Sequence, residues 1–211
     1  MPTGNVANNY VSRAEGKLAG AVRAFSYDFR GKTVLDIGSS TGGFTELALK
    51  LGAKKVVAIE KGTKQMKVPL RFDSRIELHE KTDIFDMTSK QLFSDRSGPL
   101  GQVLCPSKSY FDVILADVSF VSLKKILAHV KQFANKETDF LVMLKPQFEA
   151  RREQLWNGVV KNEKMRREII KDFEMWLKNN GFVVLKKRDN EVIGKNGNQE
   201  RFYWLKVATK S

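Results

Sequence analysis

Five short apolar runs of strand length, most of them followed by a stretch of helical period, constrain this chain more than any other feature. They fall at Thr33–Ile37, Lys55–Ile59, 76–78, 111–116 and 140–144. Helical spacing marks 44–51, 63–72, 122–134 and, most clearly, 162–179, where Met165, Ile169, Phe173 and Trp176 share one face. A capping box, Ser12 with Glu15, opens a further helix that runs to about Phe25 with Leu18, Ala21, Val22 and Phe25 on its buried side. Strands that alternate with helices must lie parallel, because only a crossover returns the chain to the same edge of the sheet. Two last strands, 182–188 and 201–208, are joined by Gly194-Lys195-Asn196-Gly197-Asn198 with no helix between them, which makes one strand antiparallel. The expected fold is α/β, a doubly wound and mostly parallel seven-stranded sheet. Residues 94–109 fit no element and are expected to form a surface loop.

At 211 residues the chain suits one domain, expected over 10–211 after a short tail at 1–9. Cys105 is the single cysteine, and with two histidines it can build neither a disulfide nor a zinc cluster. No metal is expected. No apolar run approaches the ~20 residues of a membrane span, and the polar first residues lack the apolar core of a signal peptide. A reducing, cytoplasmic location follows. The net charge of +13 points to a polyanionic partner. The excess is concentrated late: residues 151–211 carry fifteen Lys and Arg against eight Asp and Glu. A merely solubilising surface is the alternative that composition leaves open.

In open α/β sheets the ligand crevice lies beyond the carboxyl ends of the strands. There the sequence reads Val34-Leu35-Asp36-Ile37-Gly38-Ser39-Ser40-Thr41-Gly42-Gly43-Phe44. Glycines let a backbone turn sharply and approach a ligand, but G-x-x-x-G-G is not the G-x-G-x-x-G of dinucleotide enzymes. Glu60 ends the second strand, where a carboxylate can accept both hydroxyls of an adenosine ribose, and Asp83 follows the third, within reach of an adenine amino group. S-adenosylmethionine (SAM) needs these adenosine contacts and has no pyrophosphate. A dinucleotide site and a purely structural turn remain the alternatives.

Polar residues at other element ends extend the pattern. Asp117 follows Val113-Ile114-Leu115-Ala116, Lys145 follows Leu141-Val142-Met143-Leu144, Lys17 lies in the first helix, and Glu200 opens the last strand. The runs Tyr10-Val11-Ser12-Arg13…Lys17-Leu18, Asp36-Ile37-Gly38…Thr41-Gly42-Gly43-Phe44-Thr45, Asp117-Val118-Ser119-Phe120 and Lys145-Pro146-Gln147-Phe148-Glu149 resemble the TlyA family, part of the FtsJ-like group of RNA ribose 2′-O-methyltransferases. The resemblance implies a class I SAM-dependent methyltransferase, Rossmann-like in fold, with SAM as cofactor and RNA, in particular ribosomal RNA, as substrate. It also implies a Lys-Asp-Lys-Glu catalytic tetrad at Lys17, Asp117, Lys145 and Glu200, and SAM contacts at Gly42, Phe44, Glu60, Asp83 and Asp117. Asp36 and Gly38 of the glycine turn are counted with the cofactor residues.

Such a tetrad suits the chemistry. Methyl transfer displaces a sulfonium in line, so a ribose 2′-oxygen must be aligned behind the methyl and lose its proton as the bond forms. A lysine can be the base only when neutral, which requires moving it down from about 10.4; burial and a second ammonium both push that way. Lys145 is the expected base, Lys17 its neighbour and ribose holder, and Asp117 and Glu200 orient the two amines.

TlyA-like proteins generally carry a small RNA-binding domain ahead of the catalytic one, and about nine residues precede Tyr10 here. Arg13, Arg151, Arg152 and the basic 161–188 region are therefore expected to hold RNA, or a partner to deliver it. Methylation of a base amine would favour an N-P-P-Y motif where Asp117-Val118-Ser119-Phe120 stands. Membrane lysis, suggested by the haemolysin label of some family members, would need a long apolar or amphipathic segment, and 162–179 is better explained as a cover for the sheet.

Overall fold

A computed structural model describes residues 13–93, 110–191, 194 and 197–208. Helix α1 (Arg13–Phe25) precedes β1 (Thr33–Ile37), α2 (Gly43–Lys50), β2 (Lys55–Ile59) and β3 (Ile76–His79). Then come α3 (Ser89–Phe93), β4 (Val113–Ala116), α4 (Leu123–Val130) and β5 (Asp139–Leu144). A small hairpin, β6 (Leu155–Trp156) and β7 (Val159–Val160), leads to α5 (Glu163–Asn179), β8 (Phe182–Asp189) and β9 (Arg201–Val207). The sheet order is β3-β2-β1-β4-β5-β9-β8, and β9 runs antiparallel to both of its neighbours. The expected seven-stranded, doubly wound sheet with one reversed strand is what forms.

Strands β1, β4 and β5 are buried along their whole length, as parallel strands covered on both faces must be. Two apolar clusters flank them. One joins α4 and α5 to the sheet through Leu127, Phe133, Phe173 and Leu177; the other joins α1 and α2 through Leu18, Phe25, Leu47 and Ala48. No helix among the described residues is long and apolar enough to cross a membrane.

Three expectations change. Residues 63–72 form no helix, only the single 3-10 turn Leu70–Phe72. Pro69 lies inside the segment, denies it an N–H, and drives the residue before it out of the helical region. The hairpin at 155–160 was not anticipated. Glu15 is buried and bonds Lys50 Nζ of α2 at 2.8 Å, which ties the first two helices together. Its expected capping partner Ser12, like the surface loop expected at 94–109 and the tail at 1–9, lies outside the described residues.

Candidate active site

The carboxyl ends of β1, β2, β3 and β4 are laced by backbone bonds: Gly38 and Ser39 donate to Ile59, Glu60 to His79, and Asp117 to Ile37. Beyond them opens a cavity of about 620 Å³. Its floor is apolar (Ile37, Ile59, Ile84, Val118, Ile126), and Gly38, Ser40, Glu60, Asp83 and Asp117 supply its polar wall. An apolar slot with a few convergent polar groups is the usual build of a small-molecule site.

Glu60 anchors one side. One carboxylate oxygen accepts from Ser40 N at 2.8 Å, and the other from Gly62 N at 2.7 Å. The oxygen bonded to Gly62 also accepts from Gln65 Nε2 at 3.3 Å, so it is the oxygen bonded to Ser40 that keeps a second lone pair for a ligand hydroxyl. Asp83 accepts from Phe85 N and pairs with Lys61 Nζ at 2.9 Å. The Lys61 ammonium, helped by that amide, holds the Asp83 carboxyl below the usual carboxylate range. Gly38 has a left-handed φ of 75°, and a Cβ there would stand 3.3 Å from the Asp117 carbonyl oxygen.

Three residues expected at the cofactor are absent from the cavity wall. Gly42, with φ 92°, is pressed beneath Leu70, whose Cδ2 would lie 2.3 Å from an added Cβ; the glycine is needed by the turn itself. Phe44 is a core residue whose ring meets Phe202 with centroids 6.0 Å apart. Asp36 is buried under the turn, where Thr45 Oγ1 donates to it at 2.5 Å and its other oxygen has no hydrogen-bond partner. Burial, opposed by the Thr45 bond and reinforced by the negative charges of Asp117 and Glu60, pushes its carboxyl up to about 7. Sequence reasoning missed Ser40, Lys61, Gln65, Thr82 and Phe85, which also line the cavity. Only Ser40 carried a signal, its place within the glycine turn.

The four tetrad residues form two ion pairs. Lys145 Nζ lies 2.7 Å from Asp117 Oδ1 and donates an aligned hydrogen bond to Ser119 Oγ at 2.9 Å. The Asp117 contact is off the hydrogen-bond axis, so it is an ion pair only. Lys17 Nζ bonds Glu200 Oε2 at 2.5 Å. The sheet brings the pairs to neighbouring strand ends: Leu144 faces Arg201 in the β5–β9 ladder, and Lys145 and Glu200 are the next residues outward on each strand. Asp117 alone belongs both to a pair and to the cavity wall.

The motif that begins at Lys145 has a second anchor. Glu149 accepts from Ser122 Oγ at 2.7 Å and Leu123 N at 2.5 Å, so a carboxylate distant in sequence caps the start of α4. Burial raises the Glu149 carboxyl above its ordinary value, while these bonds oppose the rise. The loop between Asp117 and α4 is thereby fixed to the loop after β5. At its tip Phe120 adopts a left-handed φ of 63°, is 93% exposed, and leans on Phe148 at 5.3 Å.

A seven-stranded sheet in this order, with β9 reversed and an adenosine-sized slot beyond β1, β2 and β4, defines the class I SAM-dependent methyltransferases. A structure from Listeria monocytogenes described as an S-adenosylmethionine-dependent methyltransferase shares this fold at 17% identity, with a TM-score of 0.61, 92% of this chain covered and 100% of that one. The FtsJ-like methyltransferase model matches residues 10–207. The 23S rRNA (cytidine-2′-O)-methyltransferase TlyA of Campylobacter jejuni is 33% identical over 92% of this chain and 70% of its own length. A structure from Lactococcus lactis described as a hemolysin superposes with a TM-score of 0.83 at 33% identity, covering 95% of this chain and 89% of that one. The chain belongs to the FtsJ-like methyltransferase family, in its TlyA branch. It is a methyltransferase whose cofactor is S-adenosylmethionine.

Proposed function

We propose that the chain methylates a ribose 2′-oxygen of ribosomal RNA in the cytoplasm. The observation that carries this reading is the double position of Asp117, in the cavity wall and 2.7 Å from the Lys145 ammonium nitrogen. It sets an amine at the rim of the cofactor slot, where a base for a sugar hydroxyl is needed. Glu60 would hold the ribose hydroxyls of the cofactor, and Ile84, Phe85 and Ile126 offer its adenine an apolar seat. When bound, SAM supplies an electrophilic methyl on a sulfonium sulfur.

The chain's own residues do the rest. Lys145, once its ammonium has released a proton to solvent, takes the 2′-hydroxyl proton as the new oxygen–carbon bond forms and the carbon–sulfur bond breaks. Ser119 and Asp117 fix the direction of that amine, and Glu200 holds Lys17 beside the substrate ribose. Phe120 and Phe148 present aromatic faces at the mouth, suited to an unstacked nucleobase. Among the described residues nothing supports membrane lysis: α5 is polar on its outer face and packs Phe173 and Leu177 against the sheet.

Lys145→Ala tests the mechanism. With radiolabelled SAM and either ribosomal subunits or naked rRNA, 2′-O-methyl transfer is expected to fall at least about a hundredfold, the typical loss of a general base. SAM affinity measured by calorimetry is expected to hold. Transfer at the parental rate would remove Lys145 from the mechanism, and methyl groups found on bases would replace the ribose reading.

A further inference from the structure

Trp156 is 70% exposed, although a tryptophan is the residue with most to gain from burial. It sits at the end of β6, immediately before Asn157 (φ 47°) and Gly158 (φ 76°), whose consecutive left-handed conformations make the tight turn of the hairpin. This hairpin is fastened in place. The buried side chain of Asn198 accepts from Val160 N at 3.1 Å and donates to the Gly158 carbonyl at 3.1 Å. Asn198 stands two residues before Glu200, and β7 packs on the Pro146–Phe148 turn that follows Lys145. The indole is therefore held on a rigid arm attached to the two loops that carry Lys145 and Glu200.

Cations flank it. Arg151 and Arg152 precede the hairpin, Lys161 and Lys164 follow it, all four are exposed, and none forms an ion pair among the described residues. An exposed aromatic plane among unpaired cations is the build of a single-strand nucleic-acid contact, in which a base stacks on the ring and phosphates meet the charges. A duplex would not serve, since its bases are already stacked on one another.

We infer that Trp156 is a stacking platform for a nucleobase of the substrate RNA strand, next to the nucleotide whose ribose is methylated. The inference rests on the reading of RNA as substrate and adds to it a position on the chain where the strand is gripped. The platform acts through RNA affinity and takes no part in the reaction.

Two measurements test it on the full chain. A short single-stranded RNA oligonucleotide of mixed sequence is expected to quench the emission of wild-type protein more than that of Trp156→Phe; the other tryptophans, Trp176 and Trp204, are half-buried. The matching duplex is expected not to quench. In the transfer assay Trp156→Ala is expected to raise KM for RNA about tenfold, the scale of one stacked base, with kcat and SAM affinity unchanged and most of the loss restored in Trp156→Phe. Equal quenching of wild type and Trp156→Phe, or an unaltered KM in the alanine variant, overturns the proposal. A change of sedimentation in the alanine variant without loss of RNA affinity overturns it in favour of a contact between copies of the chain. Quenching without any methyl transfer to RNA would leave the platform standing and sink the proposed function instead.

Discussion

Asp36 is a carboxyl in full burial, with two other carboxylates for neighbours and one hydroxyl for support. Its folded value near 7 exceeds the ordinary 3.8, so between those limits the native state keeps a proton that the unfolded chain has released. Stability accordingly falls as pH rises through that window and levels off above it, by an amount on the order of 4 kcal/mol at most. Asp36→Asn resembles the protonated form and can still accept from Thr45. Its melting temperature is expected to exceed that of the parent near pH 8 and to converge with it near pH 4, as read by scanning calorimetry at each pH. Parallel curves would show that Asp36 does not titrate in that range. The placing of Asp36 shows where single-residue reading reached its limit. Glu60, Asp83 and Asp117 were legible because parallel strands end on one side of a sheet, so polar residues just past each end must gather there. Asp36, Gly42 and Phe44 belong to the same motif, yet each is packed inward: Asp36 beneath Thr45, Gly42 under Leu70 and Phe44 against Phe202. That direction depends on Thr45, Leu70 and Phe202, partners that the motif does not name.

Among the elements, those with several periodic residues were legible and those without were not. Strands β1, β2, β4 and β5 carry apolar runs, and α5 repeats its apolar face over four turns. The 63–72 segment had the spacing of a helix and also had Pro69, and the proline decides because it removes a hydrogen bond that spacing cannot replace. The hairpin is too short for any period, but Asn157-Gly158 is the strongest local signal for a two-residue turn and was available in the sequence. The joining of elements by Glu149 was not legible, since Ser122 and Leu123 lie 27 and 26 residues away. Removing that carboxylate leaves a helix start without its cap and frees the loop that carries Ser119 and Phe120. Glu149→Ala is expected to cost about 1–3 kcal/mol in denaturant unfolding and to lower methyl transfer more than SAM affinity. Glu149→Gln, which can still accept from Leu123 N, is expected to recover part of both. An alanine variant with parental stability would show that α4 starts without this cap.

At the scale of the whole molecule, the distribution of cations matters more than their sum. Sequence reasoning assigned the basic 161–188 region to RNA as a block, yet much of that charge works inside the fold. Arg166 is buried against Asp189 and the Gln199 carbonyl, Lys186 and Arg188 donate to the carbonyls of Phe25 and Gly20 near the end of α1, and Lys187 pairs with Glu174. Cations held this way release few counterions to RNA, because protein groups already neutralise or orient them. Arg151, Arg152, Lys161 and Lys164 are exposed and stand around the hairpin, at the end of the sheet where β5 delivers Lys145. Lys136 and Lys178 are also exposed, but they lie just before β5 and at the end of α5, at the opposite end of the sheet. Affinity for single-stranded RNA falls with salt at a logarithmic slope of about 0.7 per phosphate neutralised. Replacing the four hairpin cations by glutamine is therefore expected to reduce that slope by roughly 3, while replacing Lys136 and Lys178 leaves it unchanged. Fluorescence anisotropy of a labelled RNA strand across a salt series measures both. An equal loss per cation replaced in the two sets would mean that RNA senses only net charge, and the carboxyl end of the sheet would then have no special claim on the strand.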